Sequence, residues 1–200
     1  MATQEERTAA SQAKLMEAAR TLFRGAGYAA TSVDDITRAA ALTKGAFYHH
    51  FTDKRAIFQA VFEEAERQLY VDIKAAACPS DPLTMLKTGC LAFLDITSDP
   101  ATLRLLLLEG PSVLGWDAWR DICARHSLGV ISGGIRAAIK AGQIPARPAE
   151  PLAAAIYGAL TEAARYMGQL DDPAAALPSI RAEFELMLEA LLKPPRPSAA

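Results

Sequence analysis

An all-α protein, with an N-terminal three-helix unit followed by a C-terminal helical bundle of about nine helices in all, is the fold this sequence predicts. Three observations lead there. Apolar residues recur at helical spacing along nearly the whole of the 200 residues. No β-branched run alternates with hairpin punctuation, and Asp, Pro and Gly fall where helices begin and end. A hydrophobic share of 51% beside 22% charged residues describes an ordinary globular chain with a core. No internal repeat of fixed period is present.

The elements follow in order. Leu15, Ala18, Ala19, Leu22 and Phe23 share one face of a first helix over 8–25, which Gly25 and Gly27 end. Thr31 or Ser32 caps a short helix reaching about Ala40, with Asp34 and Asp35 in its first turn, where the helix dipole favours acidic side chains. Another short helix covers 43–50. A long one runs from Asp53 or Lys54 to about Ala77 and is stopped by Cys78-Pro79. Asp81-Pro82 and Asp99-Pro100 each pair an N-cap with proline at the first helical position, where the missing N–H costs nothing. They open helices over about 82–97 and 100–109. Gly110-Pro111 breaks the chain, and a helix from about Asp117 to Ala141 closes at Gly142. The Pro-rich stretch 143–151 precedes a helix over 151–168, and Asp171 to Pro178 leads into a last helix ending at Leu192. The chain thus divides into 1–53, carrying a motif at 32–51, then 54–193, with 54–77 as a linking helix, and a frayed tail at 194–200.

Composition excludes several classes of function. The opening MATQEERTAASQAK lacks the apolar run of a secretory signal, and no stretch reaches the length a membrane span needs, so a cytoplasmic protein with no membrane partner is expected. Cys78, Cys90 and Cys123 lie far apart with no CxxC or Cys/His pairing, so neither a disulfide framework nor a zinc site is indicated. GxSxG, HExxH, Walker and dinucleotide glycine patterns are all missing, so no catalytic residue and no cofactor is expected. Charge is uneven along the chain. Residues 1–60 carry eight Lys/Arg against six Asp/Glu, and residues 61–200 carry thirteen against seventeen, so any DNA contact belongs at the N-terminus.

The informative segment is TSVDDITRAAALTKGAFYHHFTDKRAIFQAVFE, Thr31 to Glu63. Two helices of about eight residues are too short to stand alone and must pack on their neighbours. Val33, Ile36, Ala40, Leu42, Phe47 and Phe51 supply that packing. The face left over carries Thr43, Lys44, Gly45, Tyr48 and His49. A major groove admits one helix, whose N-terminal side chains reach base edges while flanking groups hold phosphates. His49 and His50 point about 100° apart on a helix and cannot easily share one metal ion, so no metal site is expected.

GYAATSVDDITRAA, LTKGAFYHHF and DKRAIF stand in the order and spacing of the tetracycline-repressor (TetR) family of regulators, which the chain resembles over about residues 8 to 68. The resemblance implies base or phosphate contacts from Thr43, Lys44, Gly45, Tyr48 and His49. It further implies phosphate clamps from Thr31 or Ser32, from His50 and from Lys54. One departure stands out. The turn commonly reads Ala-Gly-Val-Ser in the family and here reads Ala40-Ala41-Leu42-Thr43. A left-handed backbone at position 41 would cost alanine about 1 kcal/mol relative to glycine.

The C-terminal portion reads as sensor and dimer contact. Trp119, Cys123, His126 and Val130 form one helical stripe, while Leu86, Cys90, Phe93 and Thr97 form another. For His126 a core position bonded to a backbone carbonyl and a ligand contact are both open. Helical ligand cavities are apolar with a few polar groups, and Phe93, Trp119, Cys123, His126 and Tyr157 are the candidate contacts for a small-molecule effector. The Ala- and Gly-rich segment LAAAIYGALTEAARYMG permits close helix approach, with Phe184, Met187, Leu188 and Leu191 on the next helix. The resemblance implies a homodimer through residues 151–168 and 178–192. The expectation is therefore a repressor that leaves a palindromic duplex operator when an apolar or amphipathic effector binds.

Overall fold

The computed structural model describes residues 3–77 and 81–193. The stop expected at Cys78-Pro79 and the tail 194–200 lie outside them. The described elements are all helical: α1 (Gln4–Gly25), α2 (Val33–Ala39), α3 (Lys44–His50), α4 (Lys54–Ala76), α5 (Pro82–Thr97), α6 (Pro100–Leu103), a π-helical segment (Arg104–Glu109), α7 (Gly110–Leu114), α8 (Trp116–Arg125), α9 (Ser127–Lys140), α10 (Ala149–Met167) and α11 (Pro173–Leu192). They form two compact units, Met1–Ala65 with Arg104–Arg120 and Glu66–Leu103 with Asp121–Ala200. The first unit therefore takes in the opening turns of α4 and a later excursion of the chain.

In the first unit, caps fix where helices start. Thr3 and Glu6 make a reciprocal capping box, so α1 begins earlier than its apolar stripe. Ser32 and Asp35 make another at α2, and the cap is Ser32 rather than Thr31. Leu15, Phe23, Ile36, Phe47, Phe58 and Phe62 are removed from solvent. Phe58 meets Phe23 and Tyr28 edge to face at centroid separations of 5.3 and 5.0 Å, a geometry that adds to area burial.

The expected break at Gly110-Pro111 does not occur. The helix widens into the π segment and continues as α7 to Leu114. Pro111 falls in the first turn of α7, where its missing N–H is tolerated. Glycine at 110 serves packing: a Cβ there would lie 2.5 Å from the Phe62 ring. Gly115, at φ 79°, ends the run instead.

In the second unit, α5, α9, α10 and α11 pack around Leu94, Ile135, Ala153, Ile156, Leu160 and Leu188. The single helix expected over 117–141 is two, since His126, at φ −113° and ψ −95°, leaves helical geometry between α8 and α9. The last helix starts earlier than expected because Asp172 caps it ahead of Pro173. Pro178 then lies inside α11.

Candidate nucleic-acid interface and effector cavity

The turn between α2 and α3 is closed by two backbone bonds, Ala41 N–H to Arg38 O at 3.2 Å and Leu42 N–H to Thr37 O at 2.9 Å. Ala41 takes φ 52°, and is the one non-glycine residue with positive φ among the described residues. Thr43 caps α3 by accepting from Ala46 N–H at 3.1 Å. Phe47 anchors the inner face of α3, which leaves Lys44, Gly45, Tyr48 and His49 exposed together on the outer one. Tyr48 is 57% exposed. A Cβ at Gly45 would meet nothing nearer than Thr43 Oγ1 at 3.7 Å. The fold itself therefore does not demand glycine there, and its bare backbone leaves room for close approach from outside.

The charged and hydroxyl groups around this face have definite partners. Lys44 Nζ lies 2.7 Å from Asp34 Oδ1, and that carboxylate pushes the ammonium pKa up. His50 is half-buried, with its Nε2 2.6 Å from Ser11 Oγ, and burial beside His49 lowers its pKa. Ser32 is exposed at the start of α2. Thr31 is buried and donates its hydroxyl to Gly27 O at 2.8 Å. Lys54 Nζ donates to Tyr28 O and Thr31 O, each at 2.8 Å, and sits 4.1 Å over the Tyr28 ring. Thr31 and Lys54 thus brace the loop that delivers α2, leaving Ser32, Thr43, Lys44, Gly45, Tyr48 and His49 as the open surface.

Within the second unit, the end of α4 with α5, α9 and α10 lines a partly open cavity of about 360 Å³. Its walls include Ile73, Leu86, Phe93, Ile131, Tyr157 and Leu160. The Phe93 and Tyr157 rings are 6.3 Å apart, edge to face. Trp119 lies in the first unit, where its indole N–H donates to Leu106 O at 3.1 Å. Neither Cys123, wholly buried, nor half-buried His126 is among the residues lining the cavity. Burial pushes the lining thiol of Cys90 up to about 12, so it stays protonated and inert.

Two polar residues at this cavity escaped sequence reasoning, the exposed Lys74 and the buried Ser127. Ser127 lines it and donates its hydroxyl to Glu66 Oε2 at 2.8 Å, behind the wall. Glu66 is 1% exposed. Burial pushes its carboxyl up to about 7, against the opposing hydrogen bonds from Ser127 and Cys123. The signal was available in the spacing: Glu66 falls on the same α4 stripe as Phe62, Leu69, Tyr70 and Ile73, the one charge on an otherwise apolar face.

Residues 15–61 match the family model for bacterial regulatory proteins of the tetR family. Residues 83–191 match the tetracyclin repressor-like C-terminal domain. The chain belongs to the TetR family of transcriptional regulators. A TetR-family transcriptional regulator from Pectobacterium atrosepticum shares 32% identity and superposes with a TM-score of 0.80, over 98% of this chain and 100% of that one. The HTH-type transcriptional regulator AcrR of Shigella flexneri is 29% identical over 143 residues, 66% of each chain. RolR, solved with resorcinol bound, shares the fold at 16% identity and a TM-score of 0.72, over 98% of this chain and 100% of that one. TetR regulators bind operator DNA and small-molecule ligands and are dimers. No described helix of this chain is long and apolar enough to cross a membrane.

Proposed function

We propose that this TetR regulator is a dimeric repressor whose α3 enters the major groove of a palindromic operator, and that a small apolar or amphipathic effector in the second unit releases it. The observation carrying the reading is the apolar cavity of about 360 Å³ in a unit that does not contain the helix-turn-helix. Its size falls at the lower end of the range for small-molecule sites. The exposed Lys44, Gly45, Tyr48 and His49 face supports the DNA side. α4 is one continuous helix whose first residue, Lys54, braces the loop before α2 and whose later residues Tyr70 and Ile73 line the cavity. Motion of that helix would alter the separation of two recognition helices, which must match successive major grooves about 34 Å apart.

Gel-shift titration of the regulator against duplexes from its own upstream region tests both halves. Lys44→Ala with Tyr48→Ala is expected to abolish specific binding while helical content and melting are kept. A ligand that binds the cavity is expected to weaken the complex, and a hundredfold loss corresponds to about 2.7 kcal/mol of coupling. Full affinity in the double variant, or cavity ligands without effect on DNA affinity, would refute the corresponding half.

A further inference from the structure

We infer that the effector is a lipophilic amine, with its apolar body against Phe93, Leu86 and Leu160 and its protonated nitrogen at Ser127, one hydrogen bond from Glu66. The inference rests on reading the cavity as the effector site. Glu66 lies one helical turn before Tyr70 and two before Ile73, both of which line the cavity. Its carboxyl receives the Ser127 hydroxyl, and the Cys123 thiol is its other side-chain donor. Among the described residues no Lys, Arg or His pairs with it.

A carboxyl placed this way is costly to ionise, because its charge has left water without meeting a cation. Ser127 connects it to the cavity. A hydroxyl has one proton and two lone pairs, so Ser127 can donate to Glu66 and accept from a ligand N–H at the same time. An ammonium there supplies the missing positive charge where the dielectric is low and attraction is strong. A carboxylate ligand would instead set two acids against each other. The competing feature is Lys74, which lies at the cavity with its ammonium 5.8 Å from the Tyr70 ring. Lys74 is exposed, and an ion pair in water is weak and screened by salt. The buried carboxyl therefore outweighs the exposed ammonium in choosing the ligand's charge.

Three probes with one tail separate the possibilities: decylammonium, decanol and decanoate, titrated calorimetrically at neutral pH and below micelle formation into the intact protein. Decylammonium is expected to bind at least about tenfold tighter than decanol, with decanoate weakest; tenfold is about 1.4 kcal/mol. Glu66→Gln and Ser127→Ala are each expected to bring the amine down to the alcohol's affinity. Unchanged decanol affinity in Glu66→Gln, which leaves the Ser127 hydroxyl in place, verifies that the cavity has kept its shape. An amine no tighter than the alcohol, a preference for decanoate, or an amine advantage that survives Glu66→Gln overturns the inference while the cavity remains an effector site. Failure of all three probes to bind overturns the effector site as well, and the amine with it.

Discussion

On the outward face of α3, the Lys44 ammonium that we propose meets DNA is paired with Asp34. Lys44 and Asp34 are both exposed, so their ion pair at 2.7 Å adds little to stability. In the proposed complex its effect falls on binding, since DNA would have to compete with Asp34 for the ammonium. Asp34→Asn is expected to raise affinity for unrelated duplexes a few-fold, to steepen the salt dependence by up to about one unit, and to narrow the margin between operator and random DNA. Gel shifts over a salt series with Asp34→Asn, Lys44→Ala and the double variant close the cycle. An equal gain with and without Lys44 would show that Asp34 acts only as general negative charge. Glu66 makes the opposite kind of statement, about stability. Its folded pKa, about 7, lies above the ordinary 4.5. The folded state therefore holds more protons than the unfolded state between these values, and stability falls as pH rises through that window. Below it the neutral carboxyl brings no penalty; above it the loss reaches about 3 kcal/mol. Urea midpoints at pH values on either side of the window are expected to drop for the native protein and to drop less for Glu66→Gln, which cannot ionise.

At the scale of elements, what the sequence makes legible is whatever a local rule controls. Ser32 and Asp81 are caps, and helices begin immediately after them; Asp172 caps the last helix by the same rule, so that it starts at Pro173 rather than at the expected 178. The exposed α3 face was readable because Phe47 leaves Lys44 and Tyr48 on the other side of a short helix. Gly110-Pro111 was misleading, because the close approach of Phe62 that makes glycine necessary is a tertiary fact. The division at His126 has the same origin: Trp119, Cys123, His126 and Val130 keep helical spacing, yet the chain leaves helical geometry between them. Cavity lining was only partly legible for a related reason. Periodicity says that Phe93, Tyr157, Trp119 and Cys123 are buried; whether each faces a void or another side chain depends on neighbours far along the chain. The α2–α3 turn joins both kinds of control, since the replacement of the family's usual glycine by Ala41 is visible in the sequence and the left-handed φ of 52° that makes it matter is visible in the structure. Ala41→Gly is therefore expected to stabilise the protein by about 1 kcal/mol, the steric relief exceeding the extra chain entropy of glycine. Thermal unfolding followed by circular dichroism checks this, and a lowered midpoint would mean the strain is absent in solution.

At the scale of the whole molecule, a dimer through α10 and α11, as the resemblance implies, would have to use the surface those helices leave outside the core. Leu188 is 1% exposed and Phe184 4%, so the strongest apolar positions of α11 are spent inside the chain itself. A charge at Leu188 would unfold the second unit rather than separate a pair of subunits. The outward stripes are different residues. On α10, Ala155, Gly158, Glu162, Arg165 and Tyr166 are exposed at helical spacing; on α11, Glu183, Leu186 and Ala190 are. Tyr166 at 53% and Leu186 at 63% are large hydrophobic side chains in water. Gly158 has nothing within 4 Å of where a Cβ would stand, so another helix can approach there closely. A two-fold axis passing these stripes would bury Tyr166 and Leu186 against their copies while leaving the Glu162–Arg165 pairs at the rim. Leu186→Arg with Tyr166→Arg is expected to yield a folded monomer at micromolar concentration in sedimentation, with helical content unchanged because neither side chain contributes to the core. Operator affinity should fall with it, since in the proposed complex a lone α3 would read one half-site and lose the second set of contacts. A double variant that sediments as a dimer would place the two-fold axis on some other surface.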